Sequence, residues 1–429
     1  MTKRPGILQN ALTAASALLL TSCASAEEGR NGRAAPEKIL SQRAGAAGSA
    51  ADGLVREGQV PGALVMISQG SEIYTHARGY ADLEQAVPVS EDTIFRFYSM
   101  TKPVTCAAVL TLLDDGLISL EDPVKDYLPE FADMSVRTEE GLRPAAGQLT
   151  IRHLMTHTSG LSYRILPGPV QEDYNQAGVF AIENRQAETL EAHVRRLAAL
   201  PLVADPGTVW NYGESMGVLG RIVEVVSGKT FGTYLQERIL TPLGMDDTGF
   251  YVPPEKAARL AQLYHRSTDG TLTHAGDAPL YGGSYLEKPL LEYGGAGLVG
   301  TAGDYMNFAR MLLADGMFAG RRVLSSEAVA LMTSNQLGPE FGEAPLAASG
   351  RGAGTRFGLC GYVTVDQPDG APPGAVGEYG WSGWASTGFW IDRKNDLAGL
   401  VFTQVIPDDI GSVELTARVR QALYGPGED

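Results

Sequence analysis

The sequence predicts an α+β fold. One antiparallel sheet is formed from both chain ends and flanked by helices, with an inserted all-helical domain between its strands. Three observations predict this. Strand-like runs occur early, at Ala63–Ser68 and Glu72–Ala77, and again late, at Phe357–Val365, Ser386–Asp392 and Leu397–Val405. The long stretch between them repeats apolar residues with a 3.6-residue period. Helical patterns also bracket the strands, from Pro36 to Arg56 and from Val413 to Tyr424.

Taken in order, the first helix pattern is weakened by Gly45, Gly48 and Gly53. The two early strands meet around Gln69-Gly70-Ser71 as a hairpin. Val104 to Asp115 is apolar at most positions and reads as a buried helix ending at Gly116. Leu219–Ser227, Phe231–Leu240 and Tyr305–Leu313 follow with helical spacing, and Thr301-Ala-Gly-Asp304 fits a capping box for the last of them. Tyr163–Asn184 and Gly338–Gly354 are rich in Gly, Pro and Ala and read as surface loops around a cleft.

The N-terminus reads as an export signal. Lys3 and Arg4 precede the apolar run Ala11–Leu20, which is too short to span a bilayer. Two cleavage readings are open. Leu20-Thr-Ser-Cys23 resembles a bacterial lipobox with Cys23 as the lipidated residue, and Ala24-Ser-Ala26 resembles an ordinary cleavage site. The lipobox is favoured, because a cysteine has little other reason to follow an apolar run directly. The expected organisation is a signal peptide at 1–26, a tether at 27–35, a sheet domain at 36–95 plus 352–425, and a mainly helical insertion at 96–351. The expected location is the periplasmic side of a bacterial membrane, with membrane contact only through the lipid on Cys23.

The net charge of −16 disfavours nucleic acid and anionic lipid as partners. Cys106 and Cys360 remain once Cys23 is assigned. Export permits a disulfide between them, but Cys106 falls inside the predicted buried helix, so a buried free thiol is the expectation. Nothing in the sequence calls for a cofactor or a metal. His153 and His157 are four apart, but no H-E-x-x-H glutamate accompanies them, and a structural role is expected.

The chemistry is carried by Ser99 and Lys102, three residues apart. On a helix that spacing stacks the two side chains on one face. A neutral lysine there can take the serine proton and create a nucleophile. The pair alone is a weak signal, since 24 serines and 8 lysines would give roughly 0.45 such pairs by chance. Pro103 strengthens it. Proline is tolerated only in a first helical turn, which puts Ser99 at a helix N-terminus, where amides favour developing negative charge. A competing serine, Ser215, lies in Gly213-Glu-Ser-Met-Gly217, a G-x-S-x-G match. That elbow needs a buried strand before it, and Asp205-Pro-Gly-Thr-Val-Trp-Asn211 reads as a turn.

Ile94 to Pro103 resembles the nucleophile segment of the serine β-lactamase and D-alanyl-D-alanine peptidase superfamily, on the class C side and nearest to family VIII carboxylesterases. Four more blocks agree in order: Leu149–Leu161 (LTIRHLMTHTSGL), Pro206–Tyr212 (PGTVWNY), Gly294–Thr301 (GGAGLVGT) and Tyr379–Trp390 (YGWSGWASTGFW). The resemblance runs from about Ile39 to Leu423. It implies a β-lactamase/transpeptidase-like fold with Ser99 as nucleophile and Lys102 and Tyr212 as proton-transfer partners. It also implies an oxyanion hole from the amides of Ser99 and Trp384, and a substrate-bordering strand at Trp381, Ser382 and Gly383.

Two departures stand out. Glu214 occupies the position of the family's Y-x-N asparagine. Trp381-Ser-Gly383 replaces K-T-G, removing the cation that faces an anionic substrate. The expected activity is cleavage of small neutral carboxylic esters through an acyl-enzyme on Ser99. A D-alanyl-D-alanine peptidase or class C-like β-lactamase is the alternative, and a catalytically silent binding protein is a third possibility. The glycines at 294, 295 and 297 lack the lysine of a phosphate loop and are expected to let two backbones approach near the cleft.

Overall fold

The computed structural model describes residues 38–342, 353–368, 373–407 and 414–425. The expected signal peptide, tether and lipidation site at Cys23 lie outside the described residues. Helix α1 (Ile39–Arg56) leads into strands β1 (Gly62–Gln69), β2 (Glu72–Asp82) and the short β3 (Val87–Pro88). The turn that carries Ser99 then feeds helix α2 (Thr101–Asp114). Helices α3 (Ile151–Met155), α4 (Leu190–Ala198), α5 (Ser215–Ser227) and α6 (Ala302–Leu313) follow. The chain returns through β4 (Thr355–Phe357), β5 (Tyr362–Thr364), β6 (Tyr379–Gly383), β7 (Thr387–Asp392) and β8 (Leu397–Phe402), and closes with α7 (Thr416–Tyr424).

These eight strands form one antiparallel sheet in the order β4-β5-β6-β7-β8-β1-β2-β3. The two chain ends meet at β1 and β8, in register from Leu64↔Phe402 to Gln69↔Leu397. Period-two alternation gives the sheet two buried faces. Val65, Ile67, Trp390 and Val401 face α1 and α7, packing on Leu40, Leu54, Val419 and Leu423. Leu64, Met66, Phe389, Leu400 and Phe402 join the larger core on the other side. There Tyr305 packs edge-on to Phe97, Phe389 and Phe402, and Phe402 lies tilted against Phe97. Helix α2 is buried from Thr101 to Leu112, which fits its uniformly apolar sequence.

The helical span between β3 and β4 also holds small sheets that periodicity did not reveal. Ser135–Thr138 pairs with Gly141–Pro144, and Phe95–Arg96 pairs with Val299–Gly300. Such pieces are too short to show alternation. The run Phe357–Val365 is two strands, because Cys360 adopts a left-handed conformation (φ 58°) and its N–H turns to Met155 O at 2.8 Å. At Thr301 only half a capping box forms. The Thr301 hydroxyl accepts from Asp304 N at 3.2 Å, but the Asp304 carboxylate accepts instead from Thr248 Oγ1 and Asp247 N.

The expected free thiol at Cys106 is corrected. Cys106 and Cys360 form a disulfide, with Cα atoms 6.2 Å apart. Burial on a helix face said nothing about what stood opposite, and that partner comes from beyond the helical span.

Candidate active site

Ser99 sits in a single 3-10 turn, Tyr98–Met100, directly before α2. Pro103 is then the third helical residue, where its missing N–H costs no intrahelical bond. Tyr98 takes a positive φ of 44°. That conformation costs a bulky residue on the order of 1–3 kcal/mol and needs surrounding structure to hold it. The holding contacts are present. Tyr98 OH donates to Tyr281 O at 2.8 Å, Tyr305 OH donates to Met100 O at 2.9 Å, and Leu298 N donates to Thr101 Oγ1 at 3.1 Å.

Lys102 is 1% exposed. Its Nζ lies 3.1 Å from Ser99 Oγ and donates to Gly295 O at 2.7 Å. It also stands over the rings of Tyr212 and Tyr163, 4.6 and 5.8 Å from their centroids. Burial lowers its pKa to about 7, against an opposing pull from Glu214. A lysine poised there is part neutral near neutral pH and can act as a base. The glycine run explains the fit at Gly295. A Cβ there would lie 2.2 Å from the Tyr293 ring, so only glycine lets the carbonyl reach Lys102.

Tyr212 arrives from a loop and donates from its hydroxyl to Ser99 Oγ at 2.7 Å. The Leu149–Leu161 block is the scaffold for that loop. Gly207 N donates to Thr158 O at 2.7 Å, Asn211 N to His157 O at 2.8 Å, and Asn211 Nδ2 to Leu161 O at 2.8 Å. The Tyr212 ring is packed by His157, Tyr163, Trp210 and Trp381. The two histidines have separate places. His153 closes a capping box with Thr150. His157 is buried among Trp210, Tyr212 and Phe357, where burial and then Lys102 hold its pKa well below 6.5, so it stays neutral.

Trp381 is buried against Tyr212 and Phe357, and Ser382 and Gly383 complete β6. Gly383 abuts the Phe97–Ser99 turn, and the hydroxyl of Thr387 donates to Phe97 O at 3.3 Å. The half-buried Trp384 packs edge-on against Tyr98 and Tyr281. Trp381, Gly383 and Trp384 thus border the Phe97–Ser99 turn or Tyr212. Ser215 does not join them. It is fully buried at the start of α5 and shares a 2.8 Å hydrogen bond with Ser159 Oγ.

Glu214 is fully buried. Its Oε1 accepts from Ala181 N at 3.0 Å, and its Oε2 lies 3.8 Å from Nε2 of the buried His193. Gly295 and the Tyr163–Tyr293 hydroxyl pair (2.8 Å) were not singled out as site residues. The glycine run signalled the first; nothing local signalled the second.

The β-lactamase family model matches residues 47–422. The chain belongs to the β-lactamase family. Esterase EstB of Burkholderia gladioli is 31% identical over 387 residues, covering 87% of this chain and 93% of EstB. The structure of EstCE1, described as a hydrolase with promiscuous acyltransferase activity, superposes with a TM-score of 0.77 at 28% identity, covering 89% of this chain and 98% of EstCE1. Unliganded simvastatin synthase LovD of Aspergillus terreus gives a TM-score of 0.75 at 30% identity, covering 89% of this chain and 98% of LovD. The fold is β-lactamase/transpeptidase-like, and the protein is a serine hydrolase-type enzyme with acyl-transfer chemistry.

Proposed function

We propose that the protein cleaves carboxylic esters through an acyl-enzyme on Ser99. The observation that carries this reading is the double contact at Ser99 Oγ, from Lys102 at 3.1 Å and Tyr212 at 2.7 Å. Ser99 attacks the ester carbonyl while its proton passes to the Lys102–Tyr212 pair. The leaving alcohol takes that proton as the C–O bond breaks, and water then attacks the acyl-enzyme by the same route. The amides of Ser99 and Trp384 are the proposed oxyanion donors. Trp381, Ser382 and Gly383 are proposed to border the substrate.

The substrate is proposed to be a small neutral ester. Trp381 supports this, because an indole offers apolar surface where a K-T-G lysine would meet a carboxylate. The same absence weighs against the peptidase and β-lactamase reading. A second outcome, transfer of the acyl group to an alcohol in place of water, is favoured by the description of EstCE1. We also propose export. The Cys106–Cys360 disulfide supports it, since such bonds persist in oxidising compartments. Lipidation of Cys23 remains part of that proposal.

The test compares rates on p-nitrophenyl butyrate, nitrocefin and a D-Ala-D-Ala peptide, with Ser99→Ala as control and fluorophosphonate labelling read by mass spectrometry. Serine-dependent turnover should be largest on the butyrate, with the adduct on Ser99. Faster turnover of nitrocefin or the peptide favours the alternative. An adduct elsewhere, or none, overturns the assignment.

A further inference from the structure

The segment from Tyr281 to Leu298 touches the Ser99 turn and the start of α2 at both of its ends. At one end the Tyr281 carbonyl accepts from the Tyr98 hydroxyl at 2.8 Å, and the Tyr281 ring packs on Trp384. At the other, Gly294 O accepts from Thr105 Oγ1 at 2.7 Å, Gly295 O accepts from Lys102 Nζ at 2.7 Å, and Leu298 O accepts from Phe97 N at 3.0 Å. Arg185 gathers the arc between those ends. It is 1% exposed and follows the short helical turn Ala181–Asn184. Its Nη1 donates to Gly282 O at 3.1 Å and to Ser284 O at 3.3 Å, and its Nη2 donates to Phe250 O at 2.5 Å. Its guanidinium lies 3.9 Å from the centroid of the Tyr285 ring, which Arg96 approaches at 5.3 Å. The Arg185 carbonyl accepts from Leu290 N and Leu291 N at 2.9 and 3.0 Å.

A guanidinium buried on main-chain carbonyls and an aromatic face is costly to place. Its planar fork holds several carbonyls in fixed directions at once, which an ammonium on a flexible stem does not. We propose that Arg185 is a positioning residue for acyl transfer: it seats the 281–298 segment so that Tyr281 O holds the Tyr98 hydroxyl and Gly295 O holds the Lys102 amine. The inference rests on Ser99 and Lys102 acting as proposed above. Tyr98 carries the positive φ directly before Ser99, and such a conformation persists only where neighbouring structure fixes it. A shift of the segment therefore loosens the serine turn at one end and the lysine at the other. The contacts of the Arg185 guanidinium are to Phe250, Gly282, Ser284 and Tyr285, so it acts on the reacting groups through these two carbonyls.

Arg185→Lys keeps the charge and removes the fork. For p-nitrophenyl butyrate, kcat should fall by about tenfold with KM within about threefold of wild type, and fluorophosphonate labelling of Ser99 should slow by a similar factor. Tyr98→Phe breaks the same chain of contacts at the Tyr281 carbonyl. The double variant Arg185→Lys/Tyr98→Phe should therefore lose less kcat than the product of the two single losses. Losses that multiply, or a folded Arg185→Lys enzyme with wild-type kcat, overturn the proposal. If Arg185→Lys does not fold, Tyr285→Leu removes the aromatic face against the guanidinium and should show the same fall in kcat at a similar KM. Wild-type kcat in that variant overturns the proposal equally. The labelling separates the two levels. A wild type labelled at Ser99, with variants labelled as fast, overturns only the role of Arg185, and a wild type unlabelled at Ser99 overturns the acyl-enzyme reading as well.

Discussion

Gly383 stands so close to Phe97 that a Cβ at that position would lie 2.2 Å from the Phe97 carbonyl oxygen and 2.4 Å from Thr387 Oγ1. The end of β6 is thereby pressed against the turn that carries Ser99. Backbone cannot yield as a flexible side chain can, so the strand itself must move to admit a methyl group. Gly383→Ala should cost about 1–3 kcal/mol of stability and lower kcat/KM by at least about tenfold through displacement of the proposed oxyanion amide at Trp384. Melting temperature and ester kinetics measure the two effects. Wild-type values of both would mean that the strand end does not set the geometry of the Ser99 turn.

Lys102 predicts a pH dependence in both activity and stability. With its pKa lowered to about 7 by burial, kcat/KM should fall below about pH 7 as the base becomes protonated. The stability effect has the opposite sense to that of a stabilising ion pair. Below pH 7 the folded protein must hold a buried ammonium, and above it the unfolded chain, with its pKa near 10.4, binds more protons than the folded one. This contribution to stability therefore rises with pH between about 7 and 10. Lys102→Met should be inactive yet stabilised relative to wild type, with the difference larger at pH 6 than at pH 9. Denaturant melts at the two pH values decide it, and a difference that grows with pH would refute the buried-ammonium account.

How much of this was legible in the sequence depends on the distance over which each feature is encoded. The hairpin around Gly70 and the helix from Thr101 are local, written in alternation, apolar runs and proline placement, and they form close to where the sequence places them. Ser99 and Lys102 were legible because helix geometry alone brings them together. Tyr212 was not legible from its own surroundings, where a core aromatic beside Trp210 is the simpler reading. It needed the family resemblance, and the structure joins it to Ser99 across 113 residues. The Cys106–Cys360 bond and the Glu214–His193 approach were illegible for the same reason. Each is set by packing between segments that no periodicity connects.

Ser215 and Tyr212 provide a paired test of the site. Ser215 Oγ is buried and hydrogen-bonded to Ser159 Oγ at 2.8 Å. Ser215→Ala should cost on the order of 1 kcal/mol for the lost bond and leave ester turnover within about twofold of wild type per folded molecule. Tyr212→Phe keeps the ring that packs on Trp210 and Trp381 and removes the hydroxyl that donates to Ser99. Its kcat should fall by about 10²–10⁴-fold, the usual worth of a positioned proton-transfer group. Loss of turnover in a folded Ser215→Ala enzyme, with Tyr212→Phe active, would move the nucleophile to Ser215.

The disulfide joins α2 to the chain between β4 and β5. Cys106 is seven residues beyond Ser99 on α2, and Cys360 is tied by its own N–H to Met155, at the end of α3. Three segments that surround the Tyr212 loop are thus pinned to one another. The bond closes a sequence separation of 254 residues, so it removes many conformations from the unfolded chain. Replacing both cysteines by alanine should cost about 2–5 kcal/mol. The same loss should follow from reducing the wild type, and the double variant should be indifferent to reductant. Thiol titration supplies the independent check. Denatured, unreduced protein should expose no reactive thiol from Cys106 or Cys360, and two should emerge after reduction. Two free thiols in protein matured in an oxidising compartment would remove both the bond and the support it lends to export.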